Sequence, residues 1–470
     1  MDRDGGYRVY EGLMVSVSGV RGRVGEALTP EVVTRFAAGF GAWAHGKWSA
    51  APHASTACRI VVGRDSRVSG PMFHRATLAA LQSVGCDVID VGLAPTPTIQ
   101  LAVEHHHAAG GLAITASHNP IEWNALKFIG PSGLFLDGAE GMEMRGVVES
   151  AFPRATWDLL GQVRVDEQAI EQHLAAVLAL PFIKVDAIRR RKFRVALDCA
   201  HGAGGVIIPE LLERLGCEVH AINLETDGRF TRPPEPVASN LGDLERLVRE
   251  SKAEVGFATD PDVDRLALVS DQGTAIGEDW TLALAARLVL RYRSGPVVAN
   301  LSTSRIVDDV AKEAGAQVVR APVGEVNVAV RMRTEGAAIG GEGNGGVILS
   351  ELHLGRDAPV GVAVLLQMLL EDNEPLSAIV ARYPRYVIVK DKLDRPNAPL
   401  DAVYNALRQG FMDAEADMQD GLRLSWLDRW VHVRPSGTEP IVRVIAEAPN
   451  AAAARELVTR SRVPLDALGR

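Results

Sequence analysis

Aromatic residues account for only 5% of the chain, cysteines number four in 470 residues, and no apolar stretch approaches a membrane span in length. Each shortage excludes something. Few aromatics leave little from which to build base-stacking platforms, and Lys and Arg are scattered in no basic block, so no nucleic-acid partner is expected. A span needs ~20 consecutive apolar residues, and the first turns of the chain lack the apolar core of a secretory signal, so the expectation is a cytoplasmic protein with no membrane partner. Cys58, Cys86, Cys199 and Cys217 lie singly, without C-x-x-C spacing and each in or beside an apolar segment, which predicts buried reduced thiols in preference to disulfides or zinc. Positive charge is also short: the net charge is −9 and the pI about 5.8.

What is present is a self-similar pattern that occurs three times. The copies run from "RIVVGRDSR" to "LQSVGCDVIDVG", from "FRVALDCAHGAGG" to "LERLGCEVHAIN", and from "PVVANLSTSR" to "AKEAGAQVVRAP". Each has a β-branched run, a polar Gly-rich loop, an amphipathic helical stretch, a glycine (Gly85, Gly216 or Gly315) suited to end that helix in left-handed geometry, and a second apolar run. A β-loop-α-β unit implies a parallel strand pair with the helix covering one face. The predicted fold class is therefore α/β, with three successive α/β domains of similar topology. After Pro375 the pattern changes to alternating strands, "YVIVK", "LRLSW", "WVHVR" and "IVRVIAEA", with helices near 400–416 and 450–460, which predicts a C-terminal α+β domain. At a prior of ~150 residues per domain the length allows three or four. The expected boundaries are 1–157, 158–274, 275–373 and 378–470.

Chemistry-bearing residues concentrate in polar loops, one for each predicted domain. In "LAITASHNPIEW" an apolar strand ends in Ser117-His118-Asn119-Pro120, with Lys127 close behind. Taken alone that is a turn ahead of a proline. In "FATDPDVDRLALVSD" the residues Asp260, Asp262 and Asp264 alternate, and in extended backbone all three carboxylates project to one side. Three like charges so placed repel, and a divalent cation relieves them; all-oxygen ligation favours Mg²⁺. An EF-hand fits worse, because Arg265 stands where glycine is needed and Asp271 where glutamate is expected. In "IGGEGNGGVI" Glu342 and Asn344 offer an acceptor and donor set suited to sugar hydroxyls among glycines that allow close backbone approach. In "VHVRPSGTEPIVRV" Arg434, Ser436, Gly437, Thr438 and Arg443 gather guanidinium, hydroxyl and backbone donors around one turn, a nest for a phosphate dianion. Arg21 in "VSGVRGRVG" and the loop "GRDSR" at 63–67 are weaker signals. The triplet His105-His106-His107 reads as a solvated face, since consecutive residues point in different directions.

A nucleophilic serine, a carboxylate trio, a hydroxyl-reading loop and a phosphate nest together describe phosphoryl transfer to and from a sugar phosphate. Over nearly its whole length the chain resembles the α-D-phosphohexomutase superfamily, with "TASHNP", "DPDVDR", "GEGNGG" and "RPSGTEP" in the order of the family's phosphoserine, magnesium, sugar and phosphate loops. The resemblance implies four domains around a central cleft. It implies that Ser117 carries the phosphate and, with Asp260, Asp262 and Asp264, ligates Mg²⁺. It further implies that Arg21, His118, Lys127 and Arg265 surround the transferring group, with Lys127 as general acid/base, and that Glu342 and Asn344 meet sugar hydroxyls. A hexose 1,6-bisphosphate would be the intermediate and activator, a hexose phosphate the substrate, and the protein a monomer or homodimer. "NALK" departs from the commoner N-G-x-K; Asn344 stands where many members have serine, and Gly346 where many bacterial members have histidine. The Asn-Gly-Gly form is similar to archaeal-type members, which puts glucosamine phosphate ahead of mannose or glucose phosphate as substrate. Two alternatives stand beside this. A strand ending in D-x-D also resembles the haloacid-dehalogenase enzymes, in which Asp260 would be the nucleophile and Ser117 a bystander. A catalytically silent sugar-phosphate sensor is the other, and retention of the serine, the lysine and three aspartates argues against it.

Overall fold

The computed structural model describes residues 12–16, 19–50, 57–436 and 441–468. Its sheets follow the three repeats. Parallel pairs join Arg59–Arg64 with Asp87–Leu93, Arg194–Asp198 with Glu218–Ile222, and Val297–Asn300 with Val318–Ala321. The crossovers are the helices Gly70–Gln82, Ile208–Arg214 and Ile306–Glu313, and each is followed by its left-handed glycine, Gly85 (φ +80°), Gly216 (φ +69°) or Gly315 (φ +71°). Lacking a Cβ, glycine adopts this conformation without the steric penalty any other residue meets.

Each repeat carries one further device that places the chemistry. On the other side of its first strand a third strand runs parallel and then turns back as an antiparallel hairpin. These hairpins are Gly110–Ile114 with Trp123–Ile129, Val255–Thr259 with Leu266–Ser270, and Ile339–Glu342 with Gly346–Leu349. The three turns hold Ser117, the Asp260–Asp264 trio and Asn344. Triplication therefore puts the serine, acidic and sugar loops at the same topological position, beyond the carboxyl ends of the parallel strands where open α/β sheets collect ligands.

The first domain extends this plan to a seven-stranded sheet through Met14–Ser16, Gly19–Arg23 and Val163–Val165. It has its own core around Phe40, Phe73, Ile60 and Phe128. The second and third domains share one continuous core, which includes Phe257, Leu268, Leu282, Val297 and Leu365. Pro375, where the sequence pattern changes, precedes the short helix Leu376–Val380, whose Leu376 and Ile379 are fully buried in that core. In the last domain five strands are ordered Val387–Asp394, Ile441–Ala448, Trp430–Pro435, Leu422–Ser425 and Glu415–Asp417. The helix Ala451–Leu468 covers one face. No helix among the described residues is long and apolar enough to cross a membrane. The four cysteines are free, and burial pushes the thiols of Cys199 and Cys217 up, the latter to about 12.

Candidate active site

Ser117 sits in left-handed backbone, φ +48°, a conformation rare for a residue with a side chain. Its surroundings hold it there. The Ser117 amide donates to Thr115 Oγ1 (2.9 Å), whose hydroxyl donates to Asp65 Oδ2 (2.6 Å). Arg67, fully buried, donates from Nε to Asp65 Oδ2 (3.1 Å) and from its fork to four carbonyls of the serine loop: Ser117 (2.6 Å), Asn119 (2.7 Å), Pro120 (2.8 Å) and Trp123 (2.8 Å). The loop "GRDSR" is thus the clamp on the serine loop. With its backbone fixed, Ser117 donates its hydroxyl across the domain boundary to Asp260 Oδ2 at 2.9 Å, and its Oγ lies 3.3 Å from His118 Nδ1.

The aspartates converge by a route that extended backbone does not supply. Residues 260–264 form a tight turn, with the Val263 amide donating to the Asp260 carbonyl (3.2 Å) and Val263 itself at φ +63°. A β-branched residue in left-handed backbone is a genuine outlier, so this turn is strained and over-determined by its neighbours. The alternation expected from a strand is corrected accordingly: the turn, not a pleat, brings the three carboxylates together. One oxygen from each lies within 4.8 Å of the others, and all three residues are buried. Burial, then repulsion from Asp264 and Asp262, raises the Asp260 carboxyl well above its usual range. Burial works against the Asp262 charge as well, but Lys127 outweighs it and lowers that group.

Lys127 Nζ donates to Asp262 Oδ2 at 2.7 Å and lies 3.8 Å from Asp264 Oδ2. Burial opposes its charge, yet the two carboxylates prevail and keep it cationic beyond the ordinary lysine range. Thr96 adds a hydroxyl donor to Asp262 Oδ2 (2.8 Å). Asp262 Oδ1 and Asp264 Oδ1 remain buried without a hydrogen-bond partner. Two orphaned carboxylate oxygens beside a third carboxylate and a serine hydroxyl form an all-oxygen donor set, and Mg²⁺ fits it.

Cations ring this cluster. Arg21 donates to Asn119 Oδ1 (3.1 Å), and burial followed by repulsion from Arg265 lowers its pKa. Arg265 donates to Glu235 Oε1 (3.2 Å) and places Nε 3.8 Å from Asp264 Oδ1. The same two causes, burial and then Arg265, hold His118 well below its usual value, so its imidazole is neutral. Two arginines and a neutral imidazole crowded around the carboxylates suit a site that receives anionic phosphate.

Glu342 and Asn344 enter through a residue the sequence reading missed. Arg356 is buried and bridges the loops, donating to Asp264 Oδ2 (2.5 Å), Glu342 Oε2 (2.7 Å) and Glu325 Oε2 (3.0 Å). Burial opposes its charge, but the three carboxylates hold its pKa well above the ordinary arginine value. Glu342 Oε1 also accepts from Asn300 Nδ2 (2.8 Å) and the Gly324 amide (3.1 Å). Asn344 accepts from the Gly346 amide (3.2 Å). Gly345 is needed for this contact between domains: at φ +90° its carbonyl accepts from the Leu266 amide (3.0 Å), and a Cβ there would lie 2.5 Å from the Leu266 oxygen.

In the last domain Arg434 and Arg443 face each other across paired strands, and Arg434 pairs with Asp420 at 2.9 Å. The Ser436 amide donates to the Ile441 carbonyl (2.9 Å); Gly437 and Thr438 lie outside the described residues. Asp420 links Arg434 to the sugar loop by accepting from the Val323 amide (3.1 Å), next to Gly324, whose own amide donates to Glu342. The histidine triplet is no cluster: His105 and His107 are exposed and His106 pairs with Asp166 (2.7 Å).

Comparison with known proteins follows the same division of the chain. Residues 13–151, 171–273 and 277–386 match the models for "Phosphoglucomutase/phosphomannomutase, alpha/beta/alpha" domains I, II and III, and residues 386–462 match the C-terminal domain model. A relative from Methanopyrus kandleri, named "Probable phosphoglucosamine mutase", is 36% identical over 95% of this chain and 96% of its own. One from Thermococcus kodakarensis, named "Phosphoglucomutase/phosphomannomutase", is 38% identical over 95% and 96%. The crystal structure of a phosphoglucomutase/phosphomannomutase family protein from Burkholderia thailandensis is similar with a TM-score of 0.82 at 26% identity, covering 97% of each chain. The chain belongs to the phosphoglucomutase/phosphomannomutase family of the phosphohexomutase superfamily and is an isomerase of the mutase type.

Proposed function

We propose that the enzyme interconverts hexose 6-phosphate and hexose 1-phosphate through a phosphoserine at residue 117 and a hexose 1,6-bisphosphate, with glucosamine phosphate as its preferred substrate. The observation that carries this reading is the 2.9 Å hydrogen bond from the Ser117 hydroxyl to Asp260 inside a trio of buried carboxylates. In the proposed step a sugar hydroxyl oxygen forms a bond to phosphorus as the bond from phosphorus to Ser117 Oγ breaks. The sugar hydroxyl gives up its proton to His118, which burial keeps neutral, while Lys127, kept cationic by Asp262 and Asp264, gives one to the departing Oγ. Arg21 and Arg265 offset phosphoryl charge. Ser117, Asp260, Asp262 and Asp264 would hold Mg²⁺, which supplies further charge neutralisation to the phosphoryl group when bound. Glu342 and Asn344 would orient the sugar, and Arg434, Ser436, Gly437, Thr438 and Arg443 the other phosphate.

Four domains are proposed, in a cytoplasmic monomer or homodimer; the expected break at 157/158 moves beyond Val165, which joins the first domain's sheet, and the one at 373/378 moves beyond Val380, whose helix packs into the core of the second and third domains. The name of the 36%-identical relative supports glucosamine phosphate, and that of the 38%-identical relative supports mannose and glucose phosphates as the second reading. Turnover of glucosamine 6-, mannose 6- and glucose 6-phosphates with Mg²⁺ and bisphosphate primer separates them. Rapid mannose-phosphate turnover beside negligible glucosamine-phosphate turnover would reverse the preference.

A further inference from the structure

Strands Val387–Asp394, Ile441–Ala448 and Trp430–Pro435 lie side by side and antiparallel, in a register that sets Lys392 opposite Arg443 and Arg443 opposite Arg434. Directly opposed residues of antiparallel strands share a face. Three cations therefore stand in one row across the sheet. They lie on the face away from the helix Ala451–Leu468, because Val442, Val444 and Ala446, which alternate with Arg443, are the residues buried in the core that contains Leu457 and Val458 of that helix. Like charges placed directly opposite destabilise a sheet. A row of three is the reverse of what sheet stability selects, and it suits an anion. Asp420 pairs with Arg434, whereas Lys392 is exposed and makes no ion pair among the described residues.

We propose that Lys392 is a third phosphate-binding cation, standing outside the "RPSGTEP" turn and engaging the non-transferring phosphate of the hexose phosphate and of the bisphosphate. This rests on the mutase reading above. A lysine ammonium is a flexible, strongly hydrated point charge, suited to attracting a dianion into the nest more than to fixing its orientation. Its effect falls on capture and retention, most of all on a bisphosphate, and not on the transfer step at Ser117. The competing explanation is edge protection. Val387–Asp394 is an edge strand, and an exposed lysine there discourages pairing with another chain. Edge protection predicts no change in ligand affinity.

The test compares wild type, Lys392→Ala, Lys392→Arg and, as a control for net charge, Lys312→Ala at an exposed site on another domain. Glucose 1,6-bisphosphate binding is read by calorimetry and turnover by steady-state kinetics. Lys392→Ala is expected to weaken bisphosphate binding and raise KM roughly three- to tenfold with kcat little changed, as loss of one charge near a dianion in water implies. It should also flatten the fall of kcat/KM with ionic strength. Lys392→Arg should recover most of the affinity, and Lys312→Ala should match wild type. Wild-type bisphosphate affinity in Lys392→Ala, or a loss of kcat with binding unchanged, would overturn the proposal. If the wild type turned over no hexose phosphate, the mutase reading would fail by itself, and the calorimetric comparison would still decide the role of Lys392.

Discussion

Replacing Arg67 by methionine removes the clamp on the serine loop while keeping a long apolar stem of similar reach. The guanidinium makes five hydrogen bonds, one to the buried Asp65 carboxylate and four to carbonyls at 117, 119, 120 and 123, and it stacks 5.0 Å from the Phe230 ring of the next domain. Without it Asp65 keeps only the Thr115 hydroxyl and the backbone amide at 67, in a place where burial already pushes its carboxyl up. Breaking one side of a buried ion pair costs about 3–5 kcal/mol. At roughly 2–4 °C per kcal/mol for a domain of this size, melting should fall by about 6–20 °C. Positioning should suffer separately, because the left-handed conformation at Ser117 is maintained by those four carbonyl contacts. A displacement of about 1 Å at a reacting group costs on the order of 10²-fold in rate. The assay is kcat and the rate of Ser117 phosphorylation by hexose bisphosphate, measured well below the variant's melting temperature. Lys at 67 restores the charge without the fork and should recover stability more than rate. If Arg67→Met melted like wild type and phosphorylated Ser117 at the wild-type rate, the clamp would not be what holds the serine in place.

Other outcomes follow from the same geometry. Ser117→Ala should lose phosphate incorporation and turnover together while melting near wild type, since its hydroxyl accounts for one hydrogen bond to Asp260; turnover that survives would move the nucleophile elsewhere. Mg²⁺ at 100 times its dissociation constant should stabilise the wild type by about 2.7 kcal/mol, read as a rise in melting temperature, and Asp262→Asn should abolish the rise; an unchanged rise would remove the trio from metal binding. Asp279 accepts from the Ser304 amide (2.8 Å), and burial raises its carboxyl to about 7. A folded pKa raised above the unfolded value gives a contribution present at low pH and lost as pH climbs from the ordinary carboxyl range through about 7. Asp279→Asn should therefore gain melting temperature on the wild type across that window, and a difference independent of pH would contradict the assignment.

The repeats made most of the fold legible. A β-branched run, a helical period and a helix-ending glycine are local signals, and three copies gave three parallel pairs at the expected strands. The polar loops were legible because each breaks an apolar strand. Less legible was how the loops reach one another. Val263 in left-handed backbone contradicts every local preference of valine, so the turn that gathers the aspartates cannot be read from alternation. Arg67 was seen but not its purpose, because its partners lie about fifty residues away. Arg356 was missed outright, although "LHLGRDAPVGVAVLL" offered a sign: a charged pair leading into an almost wholly apolar helix must be buried and paired. The shared core of the second and third domains depends on packing between sheets and has no signature within either repeat.

The central claim is that phosphorus rests on Ser117 between the two halves of the reaction. Incubation with ³²P-labelled hexose 1,6-bisphosphate and Mg²⁺, followed by peptide mapping, tests it most directly. The account predicts one label per chain on the 112–123 segment, stable to hydroxylamine, absent from Ser117→Ala and chased off by unlabelled hexose phosphate. A hydroxylamine-labile label on the peptide that contains Asp260 would contradict it.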